Sequence, residues 1–136
     1  ANGIAIGPDE QYFFLNAYLG SEVRKYPLEG GEPLAILPIS RPDNSAWDSR
    51  GRLLVASHDD SLRAIVDGLP GSDGDPVDLR FQIIAIDPDT LETEVLLERE
   101  GAPMGGGTVA VDAAGHVYIG SYAGDRIIKF PLTISP

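Results

Sequence analysis

The chain has no cysteine, and it is poor in basic residues. Without cysteine it forms no disulfide, thiolate metal site or cysteine nucleophile, and the cellular compartment is left open. Only 10 lysines and arginines stand against 21 aspartates and glutamates, which gives a formal net charge of -11. An acidic surface repels nucleic acid and anionic membranes, so we expect neither as a partner. Because the sequence has no run of about 18 apolar residues, we also expect no membrane span.

Glycine and proline are abundant. Sixteen glycines and 11 prolines separate many short runs of β-branched and aromatic residues, which predicts an all-β, turn-rich chain. The length of 136 residues suits one ordinary domain. The first forty residues illustrate the pattern, because turns rich in Gly, Pro, Asp or Ser separate four predicted strands. These strands lie at about 3–6, 12–18, 22–28 and 34–39.

The same unit is then repeated. A polar entry, a short strand, a Gly turn and a second strand occur around residues 2–18, 43–58 and 107–122. In the second copy an insertion at 59–80 separates the second and third strands. It contains a possible short helix at 61–67 and an acidic, Gly-rich stretch that we interpret as a solvated loop. The strands after the first copy are predicted at 45–48, 52–58, 81–87, 94–98, 108–112, 116–122 and 126–132.

Four strands in a period of about forty residues are typical of a β-propeller blade. The sequence therefore predicts one partial propeller domain over 1–136. Its blades would span about 1–40, 41–101 and 102–136, with the last blade incomplete. Propellers close with roughly four to eight blades. We therefore expect that either a missing N-terminal half or a second copy of the chain completes the ring. The start inside a repeat favours the missing half.

The meander also predicts where a site would lie. The start of each first strand and the end of each second strand share one face of a propeller, so polar residues at these points should converge. Side-chain oxygens that converge near an axis suit a hard cation such as Ca²⁺. The alternative is that Asp and Asn only shape the turn that enters each strand. The residues expected near the axis are Asn2, Asp43, Asn44 and Thr108, and those expected around its mouth are Tyr18, His58 and Tyr122.

No catalytic residue is identified from these patterns, and His58 is the one weak candidate. It precedes Asp59 and Asp60, and a neighbouring carboxylate can tune a histidine for proton transfer. A histidine simply packed under the insertion is the equal alternative. His116 begins a second strand, on the opposite face by the same logic, and we interpret it as structural.

Three stretches resemble the later half of a known superfamily, the calcium-dependent six-bladed propellers. They are Asn2-Gly3-Ile4-Ala5, Pro42-Asp43-Asn44 before the strand that ends at His58, and Gly106-Gly107-Thr108-Val109-Ala110. The superfamily includes the paraoxonase/arylesterase, regucalcin/gluconolactonase and strictosidine-synthase-like proteins. The resemblance implies half of a six-bladed ring, with Asn2 and Asp43 as metal ligands shared by the calcium-dependent members. It matches Asn44 to a further ligand of the paraoxonase branch, and it places His58 in the pocket lining.

By the same resemblance, the chain would be the C-terminal half of a calcium-dependent lactonase or arylesterase. Ca²⁺, or another divalent cation, would polarise the carbonyl of a small lactone or ester. The superfamily's N-terminal glutamate ligand, its earlier asparagine ligand and the histidines usually assigned to water activation have no counterpart here. We therefore expect the chain alone to be inactive. The alternative is a non-catalytic binding propeller with a structural calcium, since fold does not imply function.

Overall fold

A computed structural model describes residues 1–59, 61–67 and 78–132 of the chain. Across these residues the chain forms eleven β-strands and one short α-helix, so the all-β prediction is confirmed. Most of the acidic loop predicted within the insertion lies outside the described residues, and so do the last four positions. In the described part of the chain, no helix has the length and apolar character needed to cross a membrane.

The first sheet is an antiparallel meander in the order β1-β2-β3-β4. The turns between its strands begin at residues of the expected kind, such as the Pro-Asp pair after β1. Each strand pairs with the next one along the chain, as the sequence pattern predicts. The strands are β1 (Ile4–Ile6), β2 (Tyr12–Ala17), β3 (Glu22–Pro27) and β4 (Ala35–Pro38).

The second sheet has the same order, and the insertion lies between its second and third strands. A helix forms in the insertion where the apolar spacing predicts one. The first strand begins at Pro42 rather than at the predicted 45, because a bulge carries the pairing past the polar Asp-Asn pair. The elements are β5 (Pro42–Trp47), β6 (Leu53–His58), α1 (Leu62–Asp67), β7 (Phe81–Ile86) and β8 (Thr93–Arg99).

The third sheet has three strands within the described residues, in the order β11-β10-β9. Up to residue 132 this sheet has no fourth strand, which agrees with the prediction of an incomplete last blade. The strands are β9 (Gly107–Ala113), β10 (His116–Ser121) and β11 (Ile128–Pro131). The three sheets fall within the predicted blade ranges 1–40, 41–101 and 102–136, and in the described part they form no closed ring.

Two hydrophobic cores lie between successive sheets, and the middle sheet contributes to both. All six residues of β6 are buried. Because side chains alternate across a strand, Leu53 and Val55 face the core shared with the first sheet. Leu54 and Ala56 face the core shared with the third. A strand covered on both faces is therefore apolar along its whole length, which explains the uninterrupted run Leu53-Leu54-Val55-Ala56.

The outer sheets each leave one apolar face open. Ile4, Ile6 and Ile36 of the first sheet are 61%, 52% and 53% exposed. Their neighbours Ala5 and Leu37 point the other way into the first core. On the third sheet, Val111 and Tyr118 are exposed in the same manner. These are the faces by which a blade would pack against further blades.

Candidate functional site

The site begins with a β-bulge in the first strand of the second sheet. Pro42 pairs with Ser57 and Ser45 pairs with Val55, so two residues of β5 lie opposite one residue of β6. These two residues are Asp43 and Asn44. A bulge bends its strand and re-aims the side chains that it carries. At the Asp-Asn pair, the bulge thereby interrupts the regular alternation that would bury every second side chain.

The other two sheets carry a corresponding irregularity at the same place. In β9, Thr108 is the additional residue, because Val109 pairs with Gly120 while Gly107 pairs with Ser121. In the first sheet, the Asn16 N–H donates to Gly3 O and Asn16 O accepts from the Asn2 N–H, both at 2.8 Å. Asn2 and Gly3, which immediately precede β1, thus both bond Asn16 of β2. Register irregularities therefore occur near the starts of β5 and β9, and the residues before β1 make a related contact.

These bulges bring the predicted ligands together. Asn2 Nδ2 donates to Asp43 Oδ1 at 2.9 Å, and Asn44 Nδ2 donates to the same oxygen at 3.0 Å. Asn44 Nδ2 also lies 3.0 Å from Thr108 O, so the third sheet reaches the cluster through its backbone. The four residues expected near the axis are in contact, and Asp43 lies at their centre.

The electrostatics of the cluster centre on the Asp43 carboxylate. Burial raises the pKa of Asp43, while the nearby His58 and the hydrogen bond from Asn2 lower it in part. Within the described residues no lysine or arginine forms an ion pair with Asp43. His58 and the two amides therefore offset only part of the cost of burying this charge. A cation at this position would remove the cost of the half-buried anion.

The donor chemistry fits a hard cation. Asp43 offers a carboxylate, and a half-turn of the Asn2 amide exchanges its nitrogen for its oxygen. The Asn44 amide would have to leave Thr108 O before it could present its own oxygen. Carboxylate and amide oxygens are the ligands that Ca²⁺ takes in proteins. In the described ranges, no group of three or more acidic, histidine or cysteine side chains is arranged to hold a metal. A cation here would therefore depend on asparagine oxygens.

His58 lies beside the cluster and is 2% exposed. Its Nδ1 is 2.8 Å from Tyr18 Oη, and its Nε2 is 2.9 Å from Gly107 O. Because a carbonyl only accepts, Nε2 carries a hydrogen. Nδ1 accepts from the tyrosine hydroxyl in the neutral ring and donates to its oxygen in the protonated ring. Both ring nitrogens are thus engaged. This geometry agrees with the packed alternative, and proton transfer by His58 would require one of these bonds to open.

Two tyrosines flank this imidazole, as expected for the mouth residues. The ring centroids of Tyr18 and Tyr122 lie 5.7 and 6.5 Å from that of His58. Burial, and then the charge of Asp43, raise the pKa of Tyr18 to about 12, with Arg41 acting in the opposite direction. Burial also raises the pKa of Tyr122. Both phenols therefore keep their protons at neutral pH and remain hydrogen-bond donors.

Asn16 is a residue of the site that sequence reasoning missed. It is fully buried, and its Nδ2 donates to Asp43 O at 2.6 Å and to Ser45 Oγ at 2.7 Å. Its Oδ1 is buried and has no hydrogen-bond partner among the described residues. The available signal was an asparagine that interrupts the apolar run of β2. Sequence reasoning also missed Gly3. In the structure, a Cβ at this position would overlap the Asp43 carbonyl oxygen.

The opposite end of the sheets has different properties. His116 lies there, and its Nδ1 is 3.1 Å from Ala114 O within an exposed turn, in agreement with a structural role. A shallow cavity of about 220 Å³ is also found there. Its central side chain, Arg52, is already bonded to Asp48 and Glu94. Among the described residues, the bulged end combines a half-buried carboxylate with converging amides and the opposite end does not.

Fold and site together define an all-β chain of blade-like sheets with a polar cluster at one end of the innermost strands. No protein-family model matches the chain, and neither does any curated protein. One solved structure that matches is a Bacteroides uniformis protein provisionally described as a 6-phosphogluconolactonase. The identity is 10% and the TM-score is 0.38, over 88% of this chain and 47% of that one. The chain thus spans about half the length of that protein. At this level, the likeness carries no argument about function.

Proposed function

We propose that Asn2, Asp43 and Asn44 hold a divalent cation, with Ca²⁺ as the expected ion. The observation that carries the proposal is the convergence of two amides, from two different sheets, on one oxygen of a half-buried carboxylate. That carboxylate has a raised pKa and no ion pair with a basic side chain in the described part of the chain. A bound cation would compensate the half-buried charge of Asp43, and the two amides would then turn to present their oxygens to the ion.

We further propose that this cation site belongs to a hydrolase of lactones or aryl esters. A bound divalent cation polarises a carbonyl and stabilises the oxyanion that develops on it. In this chain, Tyr18 and Tyr122 would line the mouth around the cluster and offer hydroxyl donors. His58 would shape the pocket wall from its buried position, while the general base would come from residues outside this set.

The ligand set is incomplete, because three side chains do not fill the six to eight oxygen positions that Ca²⁺ takes. We propose that further blades supply the remaining ligands, from a preceding half or from a second copy. The exposed apolar faces at Ile4, Ile6 and Val111 support this. The chain studied alone should therefore sediment as a dimer or larger species, or aggregate. A well-behaved monomer in sedimentation velocity would contradict the proposal.

The activity is tested with a panel of lactones and aryl esters, in CaCl₂ and in a chelator. The protein should be assayed with its ring complete, beside the variant Asp43→Ala. We expect hydrolysis that requires Ca²⁺ and disappears in the variant together with bound metal. Asp112→Ala is a suitable control, because Asp112 bonds the turn at Ser49 and lies apart from the cluster. Unchanged metal content and activity in Asp43→Ala would refute the proposal.

A non-catalytic binding propeller with a structural cation is the second candidate. The observation in its favour is that both ring nitrogens of His58 are bonded and its side chain is buried. No free base is therefore presented by this histidine. Stabilisation by Ca²⁺ without turnover of any lactone or ester, in a protein with a complete ring, would favour this candidate over the hydrolase.

A further inference from the structure

We propose that Asn16 is a positioning residue that holds the Asp43–Asn44 bulge in the conformation needed to bind the cation. The inference rests on the proposed cation site and adds a residue that is not one of its ligands. Asn16 belongs to the first sheet, whereas the bulge belongs to the second. Its amide therefore fixes one blade relative to the next at the point where the ligands converge.

The geometry of the contact supports positioning. An asparagine amide nitrogen has two hydrogens, and Nδ2 of Asn16 uses one for Asp43 O and the other for Ser45 Oγ. These acceptors lie on the two sides of Asn44. The amide thus spans the bulge and holds the backbone before Asn44 and the side chain of the residue after it. A regular strand would not need this support, because ladder hydrogen bonds would already define its path.

Stability alone does not account for an asparagine at this place. Its Oδ1 is buried and lacks a partner among the described residues. A buried polar atom without a hydrogen bond is unfavourable. An apolar side chain of similar shape would avoid that unfavourable group and add apolar burial. What the asparagine provides in return is the pair of bonds to the bulge.

Gly3 makes this arrangement possible. A Cβ at Gly3 would overlap the Asp43 carbonyl oxygen and would lie 2.8 Å from Asn16 Nδ2. The close approach of β1 to the bulge therefore requires a residue without a side chain. Asn16 and Gly3 act on the same carbonyl, one by bonding it and the other by leaving room for it.

The test compares Ca²⁺ binding in the unaltered protein with its ring complete and in its variants Asn16→Leu and Ser45→Ala. Calorimetric titration with CaCl₂ should be done at a temperature at which every variant is folded. We expect the Ca²⁺ affinity of Asn16→Leu to fall by about tenfold or more, which corresponds to the loss of bonds that hold a ligand segment. Ser45→Ala removes one of the two bonds and should show a smaller loss. Ser57→Ala is the control, because it removes a buried hydroxyl of β6 that bonds Ser40 and not the bulge.

A spectroscopic measurement separates positioning from general destabilisation. Tb³⁺ replaces Ca²⁺ in oxygen sites, and its luminescence lifetimes in H₂O and D₂O report the number of bound waters. A loosened bulge should leave Tb³⁺ with about one additional water in Asn16→Leu, because a protein oxygen is lost from a shell of six to eight. The melting temperature without metal should stay within about 5 °C of the unaltered chain.

The outcomes are distinguishable. If the unaltered protein with its ring complete binds no Ca²⁺, the proposed function fails and this inference fails with it. If that protein binds Ca²⁺ and Asn16→Leu binds it equally well, with the same Tb³⁺ hydration, only the inference about Asn16 is overturned. If Asn16→Leu does not fold, Ser45→Ala decides, and an unchanged Ca²⁺ affinity in that variant overturns the inference.

Discussion

The substitution Asp43→Asn tests the electrostatics of the cluster, because it exchanges a carboxylate for an amide of the same shape. The raised pKa means that the folded chain favours the protonated carboxyl. This contribution to stability is complete below the ordinary carboxyl pKa and is lost as pH rises through the raised value. An amide has no such loss. At pH 7 and without Ca²⁺, we therefore expect the variant to be as stable as the unaltered chain or more stable.

The response to Ca²⁺ should be the reverse. A ligand at a hundred times its dissociation constant stabilises the folded state by about 2.7 kcal/mol. For a chain of this size, that free energy raises the melting temperature by on the order of 10 °C. Because the variant lacks the one charged ligand of the cluster, we expect it to retain less than about 1 kcal/mol of this gain.

The measurement is thermal unfolding of the protein with its ring complete, followed by circular dichroism, with CaCl₂ or a chelator present. Asp112→Asn is the matched control, since it makes the same change at a carboxylate that bonds Ser49 on the other side of the sheets. Its baseline stability should fall while its Ca²⁺ gain stays intact. An equal Ca²⁺ gain in Asp43→Asn and in the unaltered chain would refute the reasoning.

Three further outcomes follow from the same contacts. Tyr18→Phe should lower the free energy of unfolding by about 1–2 kcal/mol, because buried His58 loses its hydrogen bond with the tyrosine hydroxyl. A urea titration that shows no change would contradict this. Gly3→Ala should lower the free energy of unfolding by about 1–3 kcal/mol, because the added Cβ would overlap the Asp43 carbonyl oxygen. Gly20→Ala is the control: its Cβ would make ordinary contacts and should change that free energy by less than about 0.5 kcal/mol. Hydrogen bonds from the neighbouring turn lower the pKa of Asp112. In a series of urea titrations, its stabilising contribution should therefore be present at neutral pH and lost as pH falls through that lowered value, so that Asp112→Asn and the unaltered chain converge in strong acid.

The blade pattern could be predicted because its signals are local. Glycine and proline turns delimit strands whether or not their partners are known, and the three copies reinforce one another. The middle sheet illustrates this, since the continuous apolar run from Leu53 to Ala56 already indicates a strand covered on both faces. The convergence of Asn2, Asp43 and Asn44 was predicted from the antiparallel order together with the propeller arrangement of the repeats.

The bulges and the role of Asn16 could not be predicted in the same way. A bulge is a mismatch of one residue between two paired strands, so it depends on the register that the whole sheet adopts. The asparagine in β2 contacts the next blade, and no periodicity within its own strand reports that partner. Similarly, the sequence placed Tyr18 and His58 at the same mouth. The hydrogen bond between them depends on side-chain packing that a pattern of residue types does not encode.

The most direct test of the central claim is the amount of Ca²⁺ bound at equilibrium. The unaltered protein with its ring complete and its double variant Asn2→Ala/Asn44→Ala should be dialysed against the same CaCl₂ solution, and their bound metal compared by atomic emission. The account predicts that the unaltered protein retains Ca²⁺ above the level of the buffer and that the double variant does not. Equal metal content in the two proteins, or none in the unaltered protein, would contradict it.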